Sequence, residues 1–262
     1  FSIRDASIAY YQSHLVNWIL IFFMFAASVN FTLLYLCVTR RFREALKSEE
    51  LRVYSLVVVG ASAMIAADLI VRTGRDIGSA IENAAFQVTT LISTTGYCTE
   101  DFDLWPQFCR CILVLVMFFG GCAGSTAGGI KTTTAAVLVA NAFAVFRRQK
   151  SPEMFGRRME EKAVYDAAAI FTLYLVLSMT GAFVISTVET LPLSECLFET
   201  TSAIATVGLS LGLTPHLGIV SQGILIFLMF IGRVGGLTMI YAALSGSKSS
   251  VARLPQERIT VG

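Results

Sequence analysis

Charged residues are scarce in this sequence. Only 15% of its 262 residues are Asp, Glu, Lys or Arg, whereas 55% are hydrophobic, and the mean hydropathy is +0.69. Soluble domains carry about 25% charged residues, so the composition excludes an ordinary soluble domain and indicates a membrane protein. The net charge of +2 gives little reason to expect binding to nucleic acid.

The sequence also lacks the residue combinations of common catalytic and metal sites. Neither His14 nor His216 has companions that suggest a metal or catalytic centre, so an intramembrane hydrolase would have no base for a serine. The six cysteines form no zinc or disulfide framework. Cys109 and Cys111 could chelate a metal, but their apolar neighbours favour packing in the membrane. We therefore predict a protein that is not an enzyme.

A nucleotide site is missing as well, although residues 120–134 read "GGCAGSTAGGIKTTT". A phosphate-binding loop needs Gly-Lys-Ser/Thr in direct succession, and here Ile130 separates Gly129 from Lys131. The stretch instead interrupts a long apolar run. Glycine favours loop over helix interior by about 1 kcal/mol relative to alanine, and Ser125 and Thr126 can satisfy freed backbone groups. We interpret it as a break in a helix; a glycine-rich helix-packing surface is the alternative.

Several apolar runs are long enough to cross a bilayer, which takes about 20 residues. They lie at about 15–38, 53–71, 107–146 (interrupted), 164–188 and 218–244. Fourteen of the 20 basic residues fall in loops 40–52 and 147–163 and in the C-terminal tail, which the positive-inside rule assigns to the cytoplasm. The N-terminus has neither a signal-peptide pattern nor a methionine, so we expect a fragment of a longer protein.

The chain repeats itself. Residues 81–126 align without a gap on 193–238 at an offset of 112, with twelve identities in 46 positions. Each unit contains a segment of about 13 residues, 79–92 or 192–204, that spans only about 20 Å as a helix, less than the roughly 30 Å hydrocarbon core. Each segment is followed by Thr-x-Gly. We predict two re-entrant pore helices whose returning segments turn carbonyls toward an ion; two tight outer turns are the alternative.

These motifs resemble a known family. "TTLISTTGY", "GGCAGSTAGGIKT", "SAIATVGLS" and "FIGRVGGLT" are similar to the Trk/Ktr superfamily of bacterial potassium transporters, and closest to its TrkH branch. The resemblance implies an all-α membrane protein in which helix–re-entrant pore helix–helix repeats surround a central ion pore pseudo-symmetrically. It divides the chain into the last spanning helix of a second repeat with its loop (1–52), a third repeat with a broken second helix (53–163), a fourth repeat (164–244) and a cytoplasmic tail (245–262).

The resemblance also implies two sets of site residues. The filter would bind ions mainly through the backbone carbonyls of Thr94, Thr95, Gly96, Tyr97, Thr206, Val207, Gly208 and Leu209, with K+ held at Thr95, Gly96, Val207 and Gly208. The gate would comprise Gly120, Gly121, Gly124, Ser125, Thr126, Gly128, Gly129, Lys131 and Arg233. We expect Arg233 to bond the loop carbonyls and to add a positive barrier; Lys131 either faces the pore or snorkels.

Further polar residues have weaker assignments. Glu199, in the second pore helix, is expected to brace filter backbone rather than to bind ions. Outer acidic residues either concentrate cations or form a solvated rim; they are Glu82, Glu195, Glu100, Asp101 and Asp103. Asn30 is assigned to helix packing.

The expected function is potassium uptake across the bacterial inner membrane through a carbonyl-lined filter, gated by the loop at about 120–131. The alternative is an alternating-access or cation-coupled secondary transporter. The transported ion is K+, and the chain itself holds no nucleotide. The implied partners are the missing N-terminal repeats, a second copy of the subunit, a TrkA-like cytosolic ring of nucleotide-binding regulatory subunits, and membrane lipid.

Overall fold

The computed structural model describes residues 7–148, 153–154 and 157–235, and these residues are largely helical. The helices are α1 (His14–Ala27), α2 (Phe31–Val38), α3 (Phe42–Leu46), α4 (Glu49–Thr73), α5 (Ile77–Ile92), α6 (Gln107–Phe118), α7 (Thr132–Phe146), α8 (Glu161–Glu189), α9 (Leu193–Ile204) and α10 (Ile219–Val234). The strands are β1 (Glu153–Met154) and β2 (Arg157–Arg158), which pair antiparallel. Short 3₁₀ turns cover Ser7–Tyr11, Phe102–Leu104 and Thr214–His216. The all-helical prediction is confirmed.

Among the described residues, two helices, α4 and α8, are long and apolar enough to cross a membrane by themselves, and α1 with α2 would make a third span if the bent pair counts as one. The shorter apolar helices α6, α7 and α10 hold the remaining apolar runs. The part of the last run beyond residue 235, and the tail at 245–262, lie outside the described residues.

The internal repeat is visible in the helix boundaries. Glu49 and Glu161 begin the two long helices, and Ile92 and Ile204 end the two short ones, each pair 112 residues apart. A left-handed residue, Gly74 or Thr190, ends each long helix and reverses the chain. The short helices then run into the protein, where every residue of 86–92 and of 198–204 is buried. Because the last two turns of α5 and α9 are buried on all sides, the C-terminal end of each short helix lies in the protein interior.

The N-terminal apolar run differs from the expectation of one spanning helix. It is divided into α1 and α2, which are bent by 112° at residues 28–30. Asn30 causes part of the difference, because its side-chain oxygen accepts the Thr32 N–H at 2.8 Å and caps α2. The assignment of Asn30 to packing within a continuous helix is therefore wrong.

Candidate functional site

The segment after each short helix alternates in backbone handedness. Thr94 and Gly96 have φ of 53° and 77°, and Thr206 and Gly208 have φ of 57° and 82°, whereas Thr95 and Val207 are not left-handed. A β-branched residue in the left-handed region is an outlier that costs about 1–3 kcal/mol. The same outlier in both repeats indicates a shared requirement. Alternating handedness can turn successive carbonyls to one side of an extended segment, as a carbonyl-lined ion site needs.

Hydroxyls on the short helices hold these segments in place. Oγ1 of Thr90 accepts the Tyr97 N–H at 2.8 Å. Ser202, at the equivalent position of the second repeat, accepts the Leu209 N–H at 3.1 Å and donates to the Leu209 carbonyl at 2.6 Å. The sequence reading missed both hydroxyls. Their signal was present, since an offset of 112 places one hydroxyl residue on the other.

The two Thr-x-Gly segments, residues 94–97 and 206–209, lie side by side and are named the filter segments after the role expected of them. A Cβ added to Gly96 would stand 2.6 Å from the Val207 carbonyl oxygen and 3.4 Å from the Gly208 carbonyl oxygen. Glycine is therefore needed at 96 for its positive φ and for this close approach. The structure therefore places the eight residues that were predicted to bind ions in two adjacent segments.

Glu199 braces the chain just beyond the second filter segment. Its side chain is buried, with 4% of the residue exposed, and its carboxylate accepts the Leu211 N–H at 3.0 Å and the Thr214 hydroxyl at 2.8 Å. Ser210 donates a third hydrogen bond. Gln87 holds the equivalent position in the other repeat, and its side-chain nitrogen has no partner among the residues that the structure describes.

Three of the five acidic residues that were expected at the outer mouth already have a basic partner. The pairs are Arg75 with Glu100 at 2.6 Å, Arg110 with Asp103 at 3.0 Å, and His14 with Glu82 at 2.7 Å. Glu100 also accepts the indole N–H of Trp105 at 2.7 Å. These contacts fit a structural rim better than a cluster of free carboxylates. Within the described ranges, no group of three His, Cys, Asp or Glu side chains could hold a metal ion.

The glycine-rich stretch is a loop, as predicted. Helix α6 stops at Phe118, α7 begins at Thr132, and residues 119–131 contain no helix. These residues are named the gate loop after the role expected of them. Its two ends meet, because the Gly120 N–H donates to the Ile130 carbonyl at 2.7 Å and the Ile130 N–H donates to the Phe118 carbonyl at 3.2 Å. In the other repeat, α10 continues without interruption to Val234.

The gate loop lies against the first residue of both filter segments. The Gly128 N–H donates to the Thr94 hydroxyl at 3.0 Å. A Cβ on Gly128 would come within 1.9 Å of the Thr206 hydroxyl oxygen. Oγ1 of Thr206 is buried and has no hydrogen-bond partner in the described part of the chain.

The polar gate residues contact main-chain carbonyls. The Ser125 hydroxyl donates to the Cys122 carbonyl at 2.7 Å, and the Lys131 ammonium donates to the Ala127 carbonyl. Nη1 of Arg233 reaches the loop from α10 and donates to the Thr126 carbonyl at 3.4 Å. One cavity is lined by Thr94, Thr206, Val207, Gly208, Glu199 and Arg233, among others. The filter segments and the arginine therefore share a single open space.

Comparison with known proteins identifies the family. The family model for TrkH, described as a cation transport protein, matches residues 1–251. The chain belongs to the TrkH family. The description of this family as cation transport proteins confirms the prediction of a transport protein rather than an enzyme.

Named relatives agree with this assignment. The chain is 36% identical over 175 residues to the potassium/sodium uptake protein NtpJ of Enterococcus hirae, covering 64% of this chain and 39% of NtpJ. It is 29% identical to Ktr system potassium uptake protein B of Bacillus subtilis, covering 98% of this chain and 59% of that protein. The crystal structure of the potassium transporter TrkH from Vibrio parahaemolyticus superimposes with a TM-score of 0.80 at 24% identity, covering 92% of this chain and 55% of that one. The chain thus spans 39% to 59% of the length of these proteins.

Proposed function

We propose that this chain forms part of a potassium-conducting pore in a bacterial inner membrane. One observation carries the proposal: two repeats place matching segments side by side, with the same alternating handedness and the same hydroxyl brace. Such segments present backbone carbonyls, which replace the hydration shell of an ion. Relatives named as potassium uptake proteins support the choice of ion.

Potassium would be coordinated by the carbonyls of Thr95, Gly96, Val207 and Gly208, within the wider filter segments 94–97 and 206–209. Each segment carries one glycine in the Thr-x-Gly motif, so we infer looser discrimination against sodium than a filter with two glycines achieves. The potassium/sodium uptake name of a relative is in keeping with that inference.

The gate loop would close the inner end of this pathway. Gly128 donates a hydrogen bond to Thr94 and lies in close contact with Thr206, so in this proposal an ion leaving the filter would meet the loop. Arg233 reaches Thr126 from α10 and lines the same cavity as the filter residues. A guanidinium there both holds the loop and raises the electrostatic barrier to a cation.

The complete protein would supply the rest of the ring. In this proposal residues 1–52 end a second repeat, 53–163 and 164–244 are the third and fourth repeats, and 245–262 form a tail. Loops 40–52 and 147–163 and the C-terminus face the cytoplasm. We further propose a homodimer in the lipid bilayer that docks a TrkA-like ring of nucleotide-binding regulatory subunits.

Flux measurements on the complete protein in liposomes test the proposal. We expect potassium flux that scales with the electrochemical gradient in the absence of a sodium or proton gradient. Arg233→Ala should raise this flux, whereas Arg110→Ala, which removes an arginine on the outer side, should leave it unchanged. Flux that requires a coupling ion would instead favour the secondary-transporter alternative. Equal flux in the two variants would refute the assigned role of Arg233.

A further inference from the structure

The gate loop is seated on a helix break from the preceding repeat. Main-chain and side-chain groups of the loop bond the gap between α1 and α2 at four points. They are Cys122 N–H to the Ser28 carbonyl at 2.8 Å, Thr126 N–H and Oγ1–H to the Ala27 carbonyl at 3.3 and 3.0 Å, and Phe31 N–H to the Gly124 carbonyl at 3.1 Å. The gate loop is therefore held by residues 27–31 as well as by residues of its own repeat.

These bonds satisfy groups that helix ends leave open. The last carbonyls of a helix and its first N–H groups have no partner within the helix. Ala27 and Ser28 are at the end of α1, and Phe31 is the first residue of α2. Unpaired groups of this kind are costly at membrane depth. The broken helix and the gate loop thus each supply the partners that the other lacks.

A single carboxylate joins the two breaks. Oε1 of Glu50 accepts the Ala123 N–H of the loop at 2.8 Å. Oε2 accepts a hydrogen bond from the side-chain nitrogen of Asn30 at 3.5 Å. The side-chain oxygen of Asn30 in turn accepts the Thr32 N–H and caps α2. Glu50 is partly buried in the first turn of α4. The carboxylate of its neighbour Glu49 makes no hydrogen bond or ion pair to any residue within the described ranges.

We propose that Glu50 is a positioning residue that latches the gate loop onto the α1–α2 break. Its effect on transport rests on the proposed function, whereas the latch itself rests only on these contacts. A charged acceptor holds an amide more tightly than a neutral one does. Any movement that straightens α1 on α2, or that shifts the start of α4, withdraws the partners of residues 122–126 and frees the loop.

Alkylation of Cys122 reads the position of the loop without reference to transport. Cys122 precedes Ala123 and is fully buried, as is Cys109 in α6, outside the loop. The complete protein in liposomes is treated with N-ethylmaleimide, and mass spectrometry gives the labelling rate of Cys122 relative to Cys109. Glu50→Ala should raise this ratio about tenfold or more, because hydrogen bonds to a charged group are lost. Glu49→Ala, an equal change of charge in the same helical turn, should leave the ratio at the wild-type value.

Asn30→Asp provides a second test that keeps the helix cap. Aspartate caps as well as asparagine does, but it places a carboxylate beside that of Glu50, and like charges repel. The labelling ratio should again rise. Asn30→Asp decides between movement of the loop and a charge effect on the thiol, because added negative charge does not favour the thiolate, and a wild-type or lower ratio in this variant overturns the latch. A raised ratio with unchanged potassium flux supports the latch and refutes the gating role of the loop, so the two failures are distinguishable.

Discussion

Replacing Gly128 by alanine is the sharpest perturbation of the gate loop. Its φ is not left-handed, so the backbone itself accepts alanine. The added methyl, however, would stand 1.9 Å from the Thr206 hydroxyl oxygen and 3.3 Å from the Ala205 carbonyl oxygen. An ordinary contact begins near 3.4 Å, so the loop must withdraw from the filter by about 1.5 Å.

The size of the effect follows from that clash. Overpacking a tight site costs about 1–3 kcal/mol, and the cost falls on the seated loop alone, because a withdrawn loop meets no filter atoms. Because about 1.4 kcal/mol changes an equilibrium constant tenfold, the ratio of open to closed gates should rise about 5- to 140-fold. Potassium flux from liposomes at a fixed gradient measures the change.

Gly223→Ala is the matched control, because a Cβ at that position of α10 meets nothing within 4 Å. Its flux should equal that of the wild type. Flux of Gly128→Ala at or below the wild-type level, in protein that is folded and inserted, would refute the reasoning. Such a result would mean either that the filter segment, rather than the loop, moves to accommodate the methyl group, or that the loop does not obstruct ions.

Other predictions concern the filter segments and the loop that follows the first of them. Thr90→Val leaves the Tyr97 N–H without its acceptor and should cost about 1–3 kcal/mol, seen as a lower Tm and weaker selection of potassium over sodium. Thr89→Val should be neutral or stabilising, because the Thr89 hydroxyl is buried without a partner in the described part of the chain. Glu199→Gln should weaken selection of potassium in flux competition with sodium, and an unchanged selectivity would contradict the bracing role. Burial raises the pKa of the Cys98 thiol to about 11, so its alkylation at pH 8 should be about a hundredfold slower than in unfolded protein and should accelerate up to pH 11; equal rates would contradict this prediction.

Much of the architecture was readable from local patterns. Low charge, apolar runs and clustered basic residues indicate a helical membrane protein, because the bilayer penalises exposed charge along the whole length of a span. The two short helices were predictable, since a helix of about 13 residues is too short to cross. The interruption at 120–131 was predictable as well, because it concentrates glycine inside an apolar run.

The break at Asn30 escaped the sequence reading. Residues 15–38 are apolar throughout apart from a few polar positions, and nothing local separates a bent pair of helices from a straight span. Asn30 caps α2 locally, but residues outside this segment stabilise the break: the Gly124 carbonyl accepts the Phe31 N–H, and Glu50 accepts from the Asn30 side-chain nitrogen. The hydroxyls of Thr90 and Ser202 show the same limit: their identity was visible, but the amide that each accepts was not.

Periodicity, composition and the repeat at 112 residues indicated the class of fold, because each depends on neighbours in sequence or on the solvent. The residues proposed for the site came from the repeated Thr-x-Gly motif and from the family resemblance. The seating of Gly128 against Thr94 and Thr206, and of Ala123 on Glu50, depended on folding of the whole chain. The hydrogen bond from Gly128 to Thr94 joins residues 34 positions apart, and that from Ala123 to Glu50 joins residues 73 positions apart. Such bonds leave no local sequence pattern, because water or another backbone group could satisfy each partner until packing of the folded chain excludes these alternatives.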